Sequence, residues 1–235
     1  MTGSSAASRT HSSVLDALGR RITSGDLPAG AVITLAAIEA ETGTSRTVAR
    51  EAVRVLESLG LVRSRRRVGI TVQPRSTWHV LGAETIRWTL DGPLRRAHLV
   101  ELMELRAALE PVAARLAAQR ADGTQRAELV RLATELDRLG RAGRGDSPEY
   151  LQVDIDFHTL LLASSGNALY AELAGPVREI LVGRTRRGLT PADPAPGTLG
   201  AHLAAARAIA RGDGADAERN VREHIAIVTE ELSEA

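Results

Sequence analysis

The sequence contains no cysteine, no lysine and few aromatic residues, and these absences narrow what the protein can be. Without cysteine, neither disulfides nor thiolate metal sites can form, which suits a reducing cytoplasm. No run of about 18 apolar residues occurs, so a membrane-spanning helix is excluded. With two Trp, two Tyr and one Phe, any core must consist mainly of leucine, valine, isoleucine and alanine. All 30 basic residues are arginines, which can reflect genome composition as much as function.

The net charge of +1 conceals two parts of opposite charge. Residues 1–75 carry a net charge of +5 and residues 76–235 carry −4. This asymmetry is typical of a DNA-binding module joined to a domain that does not bind DNA. The N-terminal segment is polar and lacks the apolar core of a signal peptide, so we expect residues 1–11 to form a disordered arm of a cytoplasmic protein.

Residues 44–72 have the pattern of a winged helix-turn-helix. A short helix from Leu35 to Thr42 and a turn at Gly43 precede Ser45, whose hydroxyl can cap the next helix. That helix presents polar residues in its first turns: Arg46, Thr47 and Arg50. Its opposite face is apolar, with Val48, Ala52, Val55, Leu56 and Leu59 at helical spacing. Gly60 ends the helix, and two short strands with an arginine run between them follow. We infer DNA binding.

The fold is predicted to be mainly α. A winged helix-turn-helix domain over residues 12–75 is followed by a connector over 76–93 with one short helix. Residues 94–235 are predicted to form an antiparallel bundle of six or seven helices, because leucines recur there at alternating spacings of three and four residues. One such stripe contains Leu102, Leu105, Leu109, Val112 and Leu116, and another contains Leu129, Leu132, Leu136 and Leu139.

Four polar residues interrupt the apolar stripes of the bundle: Asp154, His158, His202 and His224. Each would face the interior, where an unpaired polar group costs on the order of 1–3 kcal/mol. One divalent metal satisfies all four, and three imidazoles with one carboxylate suit zinc, nickel or a similar first-row metal. Taken singly, an i,i+4 Asp–His pair is more often a salt bridge, and a lone interior histidine is more often a hydrogen-bonded core residue. The conjunction of four favours a metal site.

Two groups of motifs are similar to those of a known family. The stretch ending at Val62 reads SRTVAREAVRVLESLGLV and resembles the signature SRTPVREALRRLEAEGLV of the GntR family of bacterial repressors. Later segments read ELRAALEPVAARLAA, DIDFH and SGN, and with two late histidines 22 residues apart they resemble the all-helical FCD effector domain of the FadR subfamily. The resemblance covers residues 12–233. It implies a homodimer that binds double-stranded DNA at a short inverted repeat.

The resemblance also implies a metal and an effector. Many members bind a divalent metal through one Asp and three His, and the matching positions are Asp154, His158, His202 and His224. A small carboxylate lies against that metal in such proteins. Arg106 of the ELR motif could bind it bidentately, although a salt bridge to Glu110 is equally compatible. Asn167 could contact the effector or cap the next helix. The connector resembles that of the branch associated with sugar-acid catabolism, which implies an aldonate or uronate.

On the DNA side, the resemblance assigns Arg46 and Arg50 to base contacts, because arginine paired with guanine is the commonest specific contact in the major groove. Ser45 and Thr47 suit phosphate contacts. The wing, which the family places along or inside the minor groove, comprises Arg65, Arg66, Arg67 and Gly69. Where some relatives carry Glu-Arg, this chain has Ala36–Ala37, so one DNA-contacting arginine is absent.

The sequence therefore predicts a ligand-responsive DNA-binding regulator, most simply a repressor controlled by a small organic acid. One alternative is a metal sensor, in which the metal itself is the signal. Another is a metal-dependent hydrolase or oxidoreductase built on the bundle. This enzyme alternative lacks a convincing general base, because the nearby Asp156 lies off the inward stripe. We therefore assign no catalytic residue. We expect no membrane partner.

Overall fold

The protein is described here from a computed structural model, in which residues 3–194 and 196–234 are placed. The chain divides into two compact units, the first ending at His98 and the second beginning at Leu99. Each has its own core. Among the helices of the described residues, none combines the length and apolar character that crossing a bilayer would require.

The first unit contains a three-stranded antiparallel sheet and four α-helices in its described part. Its elements are α1 (Gly3–Ser24), β1 (Val32–Ile33), α2 (Leu35–Thr42), α3 (Arg46–Ser58), β2 (Val62–Arg65), β3 (Gly69–Val72) and α4 (Ala83–Asp91), with a 3₁₀ turn at Arg75–Thr77. The strand order is β1-β3-β2, with Val32 opposite Thr71 and Val62 opposite Val72. This is the predicted winged helix-turn-helix.

Local chemistry sets the ends of the two central helices. The Thr34 hydroxyl accepts a hydrogen bond from the Ala37 amide at the start of α2, and the helix ends at Gly43 with a left-handed φ of 65°. The Ser45 hydroxyl accepts a hydrogen bond from the Val48 amide at the start of α3, as predicted. Gly60, with φ 73°, then lets the chain turn into β2.

The core of the first unit is aliphatic apart from one tryptophan. Its buried residues include Val14, Leu18, Ile22, Ile38, Ala49, Ala52, Val53, Leu56, Leu61, Ile70, Val72 and Trp88. The inward face of α3 is centred on Ala49 and Val53, whereas the predicted Val48 and Val55 are only half-buried. The buried face of α3 is thus rotated slightly from the face that was predicted from its larger apolar residues, because small alanines allow α3 to pack closely against α1.

Helix α4 belongs to the first unit, although the sequence suggested a separate connector there. It packs on α1, where the Trp88 ring fits against Gly19: a Cβ added at Gly19 would lie 2.4 Å from that ring. The indole Nε1 of Trp88 donates a hydrogen bond to Asp16 at 2.7 Å. The indole is fully buried, and its packing against α1 explains why the segment does not behave as a linker.

Helix α1 begins earlier than predicted. The sequence suggested a disordered arm over residues 1–11, but the helix starts at Gly3, and residues 1 and 2 lie outside the described part of the chain. Extending an existing helix costs much less than nucleating one, so a polar segment rich in serine and alanine can continue a packed helix backwards.

The second unit is the predicted helical bundle, with seven helices in its described part. They are α5 (Arg95–Arg120), α6 (Gly123–Arg141), α7 (Pro148–Ser164), α8 (Ala168–Glu172), α9 (Ala174–Arg186), α10 (Pro196–Arg211) and α11 (Gly214–Glu234). Helix α10 packs between α6 and α11, and α7 packs between α6 and α9. The predicted stripe on α6 is buried throughout. This packing brings α7, α10 and α11 close enough to share a site.

Helix α5 differs from the prediction in the face that it buries. Leu102 is buried, but the rest of the expected stripe, Leu105, Leu109, Val112 and Leu116, is only half-buried. The fully buried positions instead include Arg106, Glu110 and Ala113. A charged pair occupies the interior side of the helix, which the spacing of leucines alone could not show.

Candidate DNA-binding face and metal centre

Helix α3 presents its arginines on the side opposite the core. Arg46, Thr47 and Arg50 are exposed in the first turns of the helix, as predicted. Arg46 Nη1 lies 3.9 Å from Glu39 Oε1 of α2, a long contact of an arginine whose side chain is 65 % exposed, so the guanidinium is available. Ser45 is exposed as well, although its hydroxyl also serves as the helix cap.

The wing is the hairpin between β2 and β3. Arg65, Arg66 and Arg67 are exposed, and Arg67 adopts a left-handed φ of 66° at the turn. Gly69, opposite Arg65, has φ 114°, and a Cβ there would lie 3.0 Å from the Ile33 carbonyl oxygen. Gly69 is thus required by the packing of β3 against β1 as well as being a predicted wing residue.

A concave surface runs between the start of α3 and the wing. Its lining includes Thr34, Ala36, Arg46, Arg50, Arg54, Arg65, Arg66, Arg67 and Gly69. The sequence interpretation missed Arg54, which is exposed one turn after Arg50 and donates a hydrogen bond to Glu51 at 2.6 Å. Its spacing from Arg50 was the signal that could have identified it. The surface combines a helix that fits a major groove with a basic hairpin.

Three histidines of the second unit meet in the interior of the bundle. His158 of α7, His202 of α10 and His224 of α11 are at most 5 % exposed, and one ring nitrogen from each lies within 4.8 Å of the others. Asp154 reaches the same point, since its Oδ1 is 3.4 Å from His158 Nε2 and 3.5 Å from His202 Nε2. The structure thus brings together all four residues of the predicted ligand set.

Two of the three imidazoles are oriented by partners on their far side. His158 Nδ1 lies 2.8 Å from Glu110 Oε2, and His202 Nδ1 lies 3.1 Å from the Thr198 carbonyl oxygen. A carboxylate and a carbonyl only accept hydrogen bonds, so each Nδ1 carries a proton and each Nε2 points into the cluster. Partners of this kind are what orient histidines that bind metals.

The electrostatics of the cluster are those of a cation site. Burial opposes ionisation of Asp154, but the neighbouring His158 and His202 imidazoles outweigh it and lower the pKa of the Asp154 carboxyl well below its usual range. Burial, reinforced by the neighbouring His202, lowers the pKa of His224 well below its ordinary value. Asp154 Oδ1 and His224 Nδ1 are buried without a hydrogen-bond partner among the described residues. A carboxylate facing three imidazoles, of which His202 and His224 have pKa values lowered chiefly by burial, fits a divalent metal ion that binds in place of protons.

Arg106 is paired with the glutamate one turn along its own helix. Its Nε donates to Glu110 Oε1 at 2.5 Å, and its Nη2 donates to Glu110 Oε2 at 3.3 Å. Both side chains are fully buried. Burial raises the pKa of Glu110, but the Arg106 and His158 charges outweigh it and hold that pKa at about 2. Of the two roles considered for Arg106, the structure shows the salt bridge.

A small pocket opens beside the metal cluster, and its polar lining differs from the prediction. It is lined by Tyr150, Asp154, Arg184, Thr190, Pro191, Pro194, Thr198, His202, His224, Val228 and Glu231. Arg106 and Asn167 are not among these residues. The Asn167 side chain accepts a hydrogen bond from the Leu169 amide at 3.0 Å and caps α8. Arg184, which lines the pocket, was missed because it follows no motif and its burial depends on tertiary packing.

Asp156, the residue considered as a general base, is not among the residues that line the pocket. Asp156 is exposed on the outer side of α7, where its Oδ1 accepts a hydrogen bond from Gln152 at 2.8 Å. Asp156 therefore does not supply the base that the hydrolase interpretation needs.

Comparison with known proteins agrees with both halves of this description. Residues 10–72 match the family of bacterial regulatory proteins named gntR, and residues 101–226 match the FCD domain. The galactonate operon transcriptional repressor of Escherichia coli (strain K12) is 30 % identical over 92 % of this chain and 94 % of its own length. The probable D-xylose utilization operon transcriptional repressor of Paenarthrobacter nicotinovorans is 34 % identical over 67 % of this chain and 60 % of its own.

Solved structures share the fold at lower identity. A GntR protein of Streptococcus agalactiae superposes with a TM-score of 0.51 at 24 % identity, covering 96 % of this chain and all of the other. Lar of Listeria monocytogenes gives a TM-score of 0.61 at 16 % identity, with 95 % and 96 % covered.

These matches define the class of the protein as a DNA-binding transcription regulator rather than an enzyme, as predicted. The chain belongs to the GntR family and carries an FCD domain in its C-terminal half.

Proposed function

We propose that this protein is a repressor whose affinity for its operator is controlled by a small organic acid bound beside a divalent metal. The observation that carries the proposal is the cluster of Asp154 with three buried histidines, with a pocket beside it, in a chain whose other unit is a winged helix-turn-helix. A regulator of this kind works in the cytoplasm, where the chromosome is. The relatives named as operon repressors support the sign of control.

The proposed metal is zinc, with nickel or another first-row ion as alternatives. Three imidazole nitrogens and one carboxylate oxygen form a donor set that zinc accepts readily, and such ions prefer it to the all-oxygen sets of magnesium and calcium. The ligands would be Asp154, His158, His202 and His224. The bound ion would supply a positive charge in the bundle interior and link α7, α10 and α11 there. It could also contact the carboxylate of an effector.

The proposed effector is a sugar acid. Two relatives are named for the galactonate operon and, as probable, for D-xylose utilisation, which supports a ligand related to sugars. The pocket offers several groups that suit hydroxyls, including Tyr150, Thr190 and Thr198. Burial raises the pKa of Tyr150, so its phenol stays protonated and can donate a hydrogen bond. A carboxylate on the metal with hydroxyls along these groups describes an aldonate or a uronate. The pocket, with a volume of about 20 Å³, would have to widen to admit such a ligand.

The proposed assembly is a homodimer on an inverted-repeat operator. Helix α5 supports this, because its stripe of Leu105, Leu109, Val112 and Leu116 is only half-buried within the chain. An apolar stripe of this length on one helix face suits helix packing against a second copy. Two copies would present two α3 helices to successive turns of DNA, with Arg46 and Arg50 reading bases and the wing arginines contacting phosphate.

A direct test uses metal-loaded protein and a panel of acids. Thermal shift is measured with galactonate, other aldonates, uronates, hydroxy acids and dicarboxylates, before and after chelation. Each acid that stabilises the protein is then added to a complex with an operator selected from random duplex DNA. We expect an aldonate or uronate to stabilise only the metal-loaded form and to weaken operator binding, since an effector must favour one state to shift DNA affinity.

The metal-sensor alternative predicts a different result in the same experiment. Because the ligands come from three helices, gain or loss of the ion alone could change the bundle. DNA affinity that responds to zinc removal and to none of the acids would support the sensor and contradict the acid-responsive repressor.

A further inference from the structure

Arg184 near the C-terminal end of α9 is a buried cation whose partners do not satisfy it. Its side chain is 7 % exposed, and its Nη2 lies 3.7 Å from Glu231 Oε2 of α11, beyond hydrogen-bond distance. Its Nε is buried with no hydrogen-bond partner among the described residues. A buried guanidinium normally donates several hydrogen bonds, since leaving its donors unused is costly. The site thus has donor capacity that the folded chain leaves unused.

The unused donors face the same pocket as the metal ligands. Arg184 lines that pocket together with His202, His224 and Thr198, and the Thr198 hydroxyl is likewise buried without a hydrogen-bond partner in the described structure. Burial and the nearby charge of Arg106 lower the pKa of Arg184 to about 10, so it remains protonated at neutral pH. The Arg184 guanidinium on α9 and the Thr198 hydroxyl on α10 could therefore donate hydrogen bonds to a molecule in the pocket.

The charges around the site indicate what kind of ligand it would bind. The site contains two positive guanidinium groups, Arg106 and Arg184. It also contains three negative carboxylates: Glu110, Asp154 and Glu231. The imidazoles are counted as neutral metal ligands. These groups leave one negative charge, which a divalent metal converts into one positive charge. The loaded site is therefore positive, and it becomes more positive when Glu231 turns away, so it favours a ligand that carries a carboxylate. Arg184 lines the pocket, whereas Arg106 does not line it and directs its Nε and Nη2 to Glu110 and His158, with its Nη1 buried without a partner in the described structure.

We propose that Arg184 binds the carboxylate of the effector, which takes the place of Glu231 as its partner. The inference rests on the proposed function and assigns the anion contact to Arg184 instead of Arg106. Glu231 is one-quarter exposed, so it can turn to solvent when the ligand arrives. Since Glu231 and His224 both lie on α11, the exchange also connects ligand binding to the helix that supplies a metal ligand.

The test compares two variants that break the same ion pair. Calorimetric titration of zinc-loaded protein with galactonate is carried out for the wild type, Arg184→Gln and Glu231→Gln. We expect Arg184→Gln to weaken galactonate binding by about 10- to 100-fold, because a charge-assisted contact is lost. We expect Glu231→Gln to bind equally well or up to about 10-fold more tightly, because a competitor is removed. Zinc content should stay the same in all three.

The outcomes separate this inference from the function on which it rests. If the two variants weaken binding equally, the Arg184–Glu231 pair has only a structural role and the inference is wrong. If Arg184→Gln binds galactonate like the wild type, the inference is wrong as well, while the acid-responsive function stands. If wild-type protein binds neither galactonate nor any other acid of the panel, the proposed function fails and the inference fails with it. Should Arg184→Gln not fold, Glu231→Gln and Arg184→Lys, which keeps the charge but not the planar fork, carry the comparison.

Discussion

The two units of this protein keep their functional residues in opposite environments. In the first unit, the residues assigned to DNA are exposed arginines on a helix and a hairpin, and the core beneath them is aliphatic. In the second unit, the residues assigned to metal and effector are buried, and the surface carries ordinary i,i+3 and i,i+4 ion pairs. A polyanion as large as DNA can bind only at the surface, whereas a small ion can bind in the interior of the bundle.

This difference decides how each site is coupled to stability. An exposed arginine contributes little to folding, because solvent screens its interactions, so it can be replaced at little cost in stability. A buried imidazole or carboxylate without its partner destabilises the fold, and a metal that satisfies several of them adds its binding free energy to that of folding. Removal of a functional group should thus unfold one unit more easily than the other.

The largest effect is expected from His202→Ala. This change removes one of four proposed ligands and should abolish zinc binding at micromolar metal, measured as zinc per chain by mass spectrometry. In the wild type, metal at about 100 times its Kd adds about 2.7 kcal/mol of stability, which chelation should remove. The variant should therefore melt at the same temperature with and without chelator.

The control for His202→Ala is the exposed Arg207→Ala on the same helix, which should keep both zinc and its chelator-sensitive melting. Full zinc occupancy in His202→Ala would contradict the ligand set. Unchanged melting of the wild type on chelation would contradict the enclosure of the ion.

The next largest effect is expected from Arg50→Ala on DNA binding. Loss of a bidentate contact to a base should weaken operator binding by about 1–3 kcal/mol, or roughly 5- to 150-fold, and should relax specificity at one position. Fluorescence anisotropy with a labelled operator measures this. Zinc content and melting temperature should not change, which is the opposite of the pattern for His202→Ala.

Arg207→Ala is again the matched control, since it removes the same exposed charge from the second unit. Equal operator affinity in Arg50→Ala and the wild type would refute the assignment of α3 as the recognition helix.

The sequence allowed the fold to be predicted almost completely, because periodicity and turn residues report local structure directly. The helix from Leu35 to Thr42 and the cap at Ser45 were predicted at the residues where the structure has them. The four residues of the candidate metal site could be predicted because polar side chains interrupt apolar stripes. Their meeting point depends on how α7, α10 and α11 pack, which spacing alone does not determine.

The features that could not be predicted from the sequence all depend on tertiary packing. Arg184 follows Val177, Ile180 and Leu181 at helical spacing, but no apolar residue comes after it on α9 to mark it as an interruption, so its burial is evident only from the packing of the bundle. The Trp88–Asp16 hydrogen bond joins residues 72 positions apart, and no local pattern indicates it. On α5, Arg106 and Glu110 were placed correctly as a possible pair, but leucines suggested the wrong burial for their neighbours. Long-range packing decided each case.

The smaller of the two effects on metal binding sharpens the comparison, because the same chemical change is made in a buried and in an exposed ion pair. Glu110→Gln in the buried pair with Arg106 keeps an acceptor for His158 but removes the charge that orients and polarises this imidazole. Zinc affinity should fall by about 10- to 100-fold in a competition assay with a chromogenic chelator, as is usual when a partner of a metal-binding histidine is altered. Glu128→Gln, in the exposed pair with Arg131, should leave zinc affinity and melting temperature unchanged. If both variants behave alike, burial is not what distinguishes the metal centre from the surface, and Glu110 has no part in orienting His158.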